Sequence, residues 1–283
     1  MKKTMHIAFS EFKKWLISPK MVLVVVMMIF VRENLIVPMQ KAADSMSQPL
    51  NILEPCIASM NSGLSVLAIL LCYMLMIADF PSSGGNECYY IYRAGKKSWA
   101  AGEIIFMIIS AFVYLFVVIF IIGLEASPNG FWADGWSIPA TDYDKSQKAG
   151  TGFIMANAIS ENIVTNMPPF KALIFSFFPT LLSMMLYAFI YLEGTLLGHK
   201  TIAFVIDLLL ITLGCSMTAM NSKFMWLLPE SHSLLQMHFK ANYREYVFSP
   251  EASLCVLVGL CALFVILSAF SSRKANLLDI DRR

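Results

Sequence analysis

Long unbroken apolar runs constrain this chain more than any other feature. Six stretches, at residues 21–37, 62–79, 103–124, 171–192, 201–220 and 252–270, are long enough to cross roughly 30 Å of hydrocarbon at about 1.5 Å per residue. Composition leaves them no solvent but lipid. Apolar residues make up 58% of the 283 and charged residues 14%, against about 45–50% and about 25% in ordinary globular domains. A soluble fold of this size could not hide so much hydrocarbon, and a disordered chain would not carry it. The sequence therefore predicts an all-α polytopic membrane protein: six transmembrane helices preceded by an N-terminal amphipathic interfacial helix. Its expected divisions are an interfacial helix at 1–18, a six-span domain at 19–272 and a tail at 273–283.

The first stretch is the least regular. Met21 to Val31 gives about 16 Å of helix, so a crossing must continue through Arg32 and Glu33 to Val37 and stop at Pro38. The alternative is a short re-entrant segment. A crossing is preferred, because an even number of spans puts both charged ends on one side.

Lysine and arginine choose that side. With the N-terminus inside, the inner segments hold thirteen: Lys2, Lys3, Lys13, Lys14, Lys20, Arg93, Lys96, Lys97, Lys200, Arg273, Lys274, Arg282 and Arg283. The outer segments hold seven, Lys41, Lys145, Lys148, Lys171, Lys223, Lys240 and Arg244, with Arg32 left in the membrane. Both termini are expected to be cytoplasmic. The N-terminus does not read as a signal peptide, since its charges recur at Lys13, Lys14 and Lys20 with no small-residue cleavage site. Met5, Phe9, Phe12 and Leu16 instead make an apolar stripe at helical spacing, with Trp15 suited to headgroup depth. Ser18-Pro19 then restarts the chain as a spanning helix.

Catalytic chemistry is sparse. Gly95-Lys96-Lys97-Ser98 and Gly198-His199-Lys200-Thr201 lack the upstream glycine of a phosphate-binding loop and follow no strand, so the chain itself is not expected to hydrolyse ATP. Glu230, His232 and His238 share the outer segment 221–251 without metal-ligand spacing and read as solvated loop residues. The six cysteines include no C-x-x-C pair, and four sit in apolar runs as small hydrophobes. Three ionisable groups remain at membrane depth, where each costs about 2.5–3.5 kcal/mol or more. Arg32 and Glu33 are sequence neighbours about 100° apart on a helix and are not expected to pair. Asp207 sits about two turns into the fifth stretch, and a role in translocation stands beside simple pairing within the bundle.

Several features point the same way. They are the basic helix ending at Ser18-Pro19, the six spans, and an Asp79-Phe80-Pro81 segment leaving the second. A basic aromatic loop follows, Tyr89-Tyr90-Ile91-Tyr92-Arg93-Ala94-Gly95-Lys96-Lys97, with Trp99 and Gly102 at the start of the third span. In this layout, over nearly its whole length, the chain resembles the membrane subunit of a type-2 ABC exporter. Glu103 stands where many relatives carry lysine.

The resemblance implies a homodimer, or a heterodimer with a second permease, working with a separate cytoplasmic ATP-binding subunit. Tyr89, Tyr90, Tyr92, Arg93, Lys96 and Lys97 would then couple to that ATPase, and Arg32, Glu33 and Asp207 would line the path or pair within the membrane. No cofactor or metal is expected and the chain is not expected to be an enzyme. A formal net charge of +2 makes nucleic acid an unexpected partner, whereas membrane lipid is an expected one. The expected location is a bacterial cell membrane, multi-pass. A non-transporting sensor or assembly subunit is the alternative reading.

Overall fold

The chain is an all-α polytopic membrane protein. The computed structural model describes residues 2–81, 93–141, 158–239 and 247–274. Helix α1 (Lys2–Ile17) leads into α2 (Met21–Val31), which passes through a π-helical turn at Arg32–Ile36 into α3 (Val37–Ser45). A two-residue strand β1 (Leu50–Asn51), α4 (Leu53–Asn61) and α5 (Gly63–Ile77) follow. The long α6 (Lys96–Ala126) precedes strand β2 (Gly130–Phe131), α7 (Ile138–Thr141) and α8 (Glu161–Asn166). The chain closes with α9 (Pro169–Leu196), α10 (Lys200–Ala219), the short α11 (Pro229–Ser233) and α12 (Pro250–Lys274).

Five helical stretches among the described residues are long and apolar enough to cross a membrane: Met21–Ser45, α6, α9, α10 and Pro250–Arg273. The pair α4–α5 makes a sixth, bent by 79°. Their outward faces are hydrocarbon at helical spacing. Val22, Val25, Val26 and Ile29 on α2, and Phe112, Phe116, Phe120 and Leu124 on α6, are all exposed. Water does not tolerate such stripes, and lipid does.

The first helix does not stop at Pro38. Pro38 lacks an N–H and its ring would crowd the carbonyl one turn back, and the chain widens to π register just before it, with the Val37 amide donating to the Arg32 carbonyl. The helix then resumes to Ser45. Residues 38–61, expected as a short outer loop, are largely helical and buried: all nine residues of α4 are covered. Polar clamps fix this layer to the next connection. The Glu54 carboxylate accepts from the Ser137 amide (2.6 Å) and hydroxyl (2.8 Å), and Asn51 donates to the carbonyls of Ala133 and Gly135, both at 2.7 Å. β1 pairs in parallel with β2 beside them.

Inside the bundle α9 is the central post, packing on α4, α5, α6, α10, α11 and α12. Its helix is continuous through Pro179. Buried tyrosines lace α5 to α6: Tyr114 donates to the Ile69 carbonyl (3.0 Å) and Tyr73 to the Met107 carbonyl (3.2 Å). The described cysteines are all free, and all but Cys255 are buried.

Helix α1 has three faces rather than two. At about 100° per residue, Ile7, Ala8, Glu11 and Trp15 form one side, packed on the start of α6. Met5, Phe9 and Leu16 form a second, exposed stripe, and Lys2, Lys3 and Lys13 a third, basic one. Trp15 therefore belongs to the protein-facing side, 2% exposed, and not to the headgroups. Gly102 permits the contact, because a Cβ there would lie 2.8 Å from the Ile7 side chain and 3.2 Å from the Thr4 carbonyl. Gly102→Val should therefore lift α1 from α6 and cost about 1–3 kcal/mol in thermal unfolding of the detergent-solubilised protein. Gly63→Ala, whose Cβ meets nothing within 4 Å, should leave the midpoint unchanged.

Candidate functional site

Two polar assemblies lie against α9, one at its C-terminal end and one near its middle. The first gathers the roots of the loop between α5 and α6. As α5 ends, the Ala78 carbonyl accepts from the Tyr191 hydroxyl of α9, and Asp79 pairs with Lys20 at 2.8 Å. The Phe80 ring packs on Phe106 of α6 at 5.0 Å, and the Pro81 carbonyl accepts from Lys200 of α10 at 3.2 Å. At the far root Lys3 of α1 donates to the Arg93 carbonyl (3.0 Å), Gly95 takes the left-handed φ of +84° that turns the chain into α6, and Trp99 is buried. Of the six residues expected to couple to an ATPase, Arg93 and Lys97 are exposed and Lys96 is half-buried. Tyr89, Tyr90 and Tyr92 lie outside the described residues. Glu103, about two turns into α6, is buried.

The second assembly is built from the connection between α10 and α12, which the sequence presents as a solvated loop. That reading is overturned. After α10 the chain folds back as three short turns, Lys223–Leu227, α11 and Leu235–His238, seated among α9, α10 and α12. Every residue of α11 is buried, including Glu230, His232 and both serines, and so is His238. The anchors are the leucines on either side: Leu234 and Leu235 are each 1% exposed, and Leu228 is half-buried. Burying that much hydrocarbon draws the polar run between them out of water.

Each buried polar group of α11 is aimed at a different neighbour. Glu230 accepts from the Tyr187 hydroxyl of α9 through Oε1, whereas its Oε2 has no hydrogen-bond partner among the described residues. Gly214 of α10 makes room for it, since a Cβ at that position would collide with the carboxylate. Ser183 of α9 reaches the Pro229 carbonyl at 3.4 Å, and Ser231 donates to the Met225 carbonyl at 2.7 Å. Burial pushes the Glu230 carboxyl up to about 7, with the Tyr187 hydroxyl pulling the other way.

On the opposite side of α11, Ser253 of α12 bridges two imidazoles. Its hydroxyl lies 2.9 Å from His232 Nδ1 and 2.8 Å from His238 Nε2. The outer nitrogens face backbone carbonyls, His232 Nε2 that of Trp226 (3.0 Å) and His238 Nδ1 that of Leu234 (3.1 Å). The Trp226 ring lies 5.5 Å from each imidazole. These four contacts need four hydrogens, whereas two neutral imidazoles and one hydroxyl bring three. Burial holds His232 below its ordinary value and His238 down to about 4, so both are neutral near pH 7 and one contact lacks its hydrogen.

The three expected intramembrane groups separate. Arg32 and Glu33 do pair, at 3.2 Å, contrary to the expectation from their angular spacing. Both side chains are long and more than half exposed, so they bend toward each other. Arg32 also lies 3.9 Å from Glu125 near the end of α6. Arg32, Glu33 and Glu125 thus form a partly exposed charged cluster. Asp207 behaves differently. It is fully buried, neither carboxylate oxygen has a hydrogen-bond partner among the described residues, and it lies within electrostatic reach of Tyr187 and Tyr191. The structure therefore joins Asp207 to the Glu230–Tyr187 pair and leaves Arg32 and Glu33 outside. Among the described residues no group of three or more His, Cys, Asp or Glu is placed to hold a metal ion.

No protein-family model, curated protein or solved structure matches the chain. The close fit at Gly214 gives a direct test of the outer assembly. Gly214→Ala should destabilise the solubilised protein by about 1–3 kcal/mol. Combined with Glu230→Ala it should cost less than the two single changes added together, because the collision is then gone. Strict additivity in thermal unfolding would mean that the two residues do not touch.

Proposed function

We propose that this chain is the transmembrane permease subunit of an ABC-type exporter, driven by a separate cytoplasmic ATPase that docks on the loop between α5 and α6. The observation that carries this reading is the gripping of that loop's roots. Ala78, Asp79, Phe80 and Pro81 are held by α9, Lys20, α6 and α10 in turn, and Arg93 is held by α1. A displacement applied to the loop would pass to most of the bundle, which is what a subunit that receives work from a soluble motor requires. Close-packed interiors transmit such strain because they do not compress. Tyr90, Tyr92 and Arg93 are the residue types that dominate interface energy when desolvated.

In this reading both termini are cytoplasmic in a cell membrane, and the functional unit pairs two such chains or this chain with a second permease. The basic face of α1, with Lys2, Lys3 and Lys13, meets the anionic inner leaflet. Its exposed apolar stripe enters the lipid.

The native chain, isolated from its own membranes in mild detergent, should carry a subunit with a phosphate-binding loop and hydrolyse ATP. Tyr90, Tyr92 and Arg93 changed together to alanine should remove that subunit and the hydrolysis while membrane insertion persists. On a cysteine-free background, an impermeant reagent applied outside should label a cysteine at Ser146 and not one at Ala275. If the native chain carries no ATPase, the sensor or assembly reading replaces this one.

A further inference from the structure

The assembly around Glu230 has a chemistry that energy coupling at the inner face does not use. Glu230 sits on a five-residue helix that is not itself a span, wedged between α9, α10 and α12, fully buried with one carboxylate oxygen unpartnered. Gly214 is the cradle that admits it. Among the described residues no cation pairs with it, and Lys223, in the turn before α11, is exposed. From α9 it faces Tyr187, and from α10 it faces the Cys215 thiol, with Asp207 deeper beside Tyr187. The titratable groups toward α12, His232 and His238, with Glu251 acting on His238, lie on the far side of α11. Against a negative charge at Glu230 stand burial and the nearby acidic groups, the Tyr187 hydroxyl alone favours it with one donated hydrogen bond, and no described neighbour supplies a positive charge.

We infer that Glu230 is a proton-binding site whose proton keeps α11 seated in the mouth between α9, α10 and α12, and whose loss releases α11 as a plug. A neutral carboxyl fits the cradle, because it carries one donor and one acceptor and no charge to desolvate. An ionised one is a buried anion with a single hydrogen-bond donor, and it regains its hydration only by leaving. The sign follows from burial, which raises Glu230 above its ordinary value of 4.5. The stability it gives to the seated plug is therefore full below 4.5 and is lost as pH rises through about 7. The histidines act in the opposite sense and on the acid side. They stabilise the seated state while neutral, so their effect is lost as pH falls below their ordinary 6.5. The plug is thus held most firmly in a window on the acid side of neutral and opens toward alkaline pH. This inference does not depend on the exporter reading.

The test uses the full-length protein on a cysteine-free background with Ser233→Cys as a buried reporter in α11. Labelling by an impermeant maleimide is normalised to Met220→Cys, which starts 80% exposed and corrects for thiol ionisation. Between about pH 6 and about pH 8.5 the normalised rate, divided by that of Glu230→Gln so that the histidine contribution cancels, should rise by about tenfold, with its midpoint near 7. Glu230→Gln itself, which cannot ionise, should show no rise toward alkaline pH. Tyr187→Phe removes the hydroxyl that favours the anion and should move the midpoint upward. A flat ratio, or a rise toward alkaline pH that survives in Glu230→Gln, overturns the proposal. Infrared difference spectra between the native chain and Glu230→Gln, both without the reporter, give a second reading: a protonated-carboxyl band belonging to Glu230, present at about pH 6 and lost through neutrality. Absence of that band at about pH 6 overturns the proton site even if a cysteine variant fails to fold.

Discussion

Tyr187 and Tyr191 lie four residues apart on one face of the central helix, and two connections of the chain are held by them. Tyr187 donates to Glu230 in the connection between α10 and α12, and Tyr191 donates to the Ala78 carbonyl at the root of the α5–α6 loop. Each phenol is fully buried, where an unmade hydrogen bond costs about 1–3 kcal/mol, so neither can release its partner without penalty. The bonds also gain strength from the low dielectric around them. Small residues set how closely α10 follows α9 along this line. Near the C-terminal end of α9, Gly194 is so near Ala203 that a Cβ would collide with it, and farther along α10 Gly214 meets Glu230 instead. Close approach through small side chains is how helices associate without a hydrophobic driving force. Here the same device leaves a notch at one end for α11.

The architecture was legible because lipid leaves the backbone few choices. With no water to satisfy its amides, a long apolar run becomes a helix, so length and hydropathy alone located α6, α9, α10 and α12 within a few residues. Reading failed where polar and apolar signals mix. Residues 38–61 carry enough polar side chains to pass for a loop, yet α4 is buried because Glu54 and Asn51 find partners across the fold at Ser137, Ala133 and Gly135. Partners some eighty residues away leave no local trace. The amphipathic stripe of α1 was visible, whereas its protein-facing side was not, since Ile7, Ala8, Glu11 and Trp15 show no uniform polarity.

Candidate-site residues divide along the same line. Asp207 was singled out because a carboxylate in an apolar run is conspicuous anywhere in the chain. Glu230, His232 and His238 were passed over because they were weighed as ligands and not as buried groups. A local signal existed: Leu227-Leu228-Pro229-Glu230-Ser231-His232-Ser233-Leu234-Leu235 brackets five residues with paired leucines. Of the two pairs only Leu234-Leu235 is fully buried, with Leu228 half-buried and Leu227 exposed, so the bracket marks the segment without fixing its depth. Ser253, which joins the two histidines, could not have been found from sequence, being one serine among many near the start of an apolar helix.

The placement of Asp207 ties the two ends together. Asp207 and Gly214 are seven residues apart and share one face of α10, while Tyr187 and Tyr191 share the facing side of α9. The seam between the helices therefore runs from Glu230 past Tyr187, Asp207 and Tyr191 to the Ala78 carbonyl, polar at each step through an otherwise apolar bundle. Interactions along it are screened far less than at a surface, so a charge appearing at one step alters the energy of its neighbours. The mechanical consequence is more direct. A tilt or rotation of α9 that preserves the Tyr191 bond at the loop root displaces Tyr187 relative to Glu230, unless α11 moves with it. A change at either end thus has a cost at the other, and by linkage the dependence holds equally in both directions.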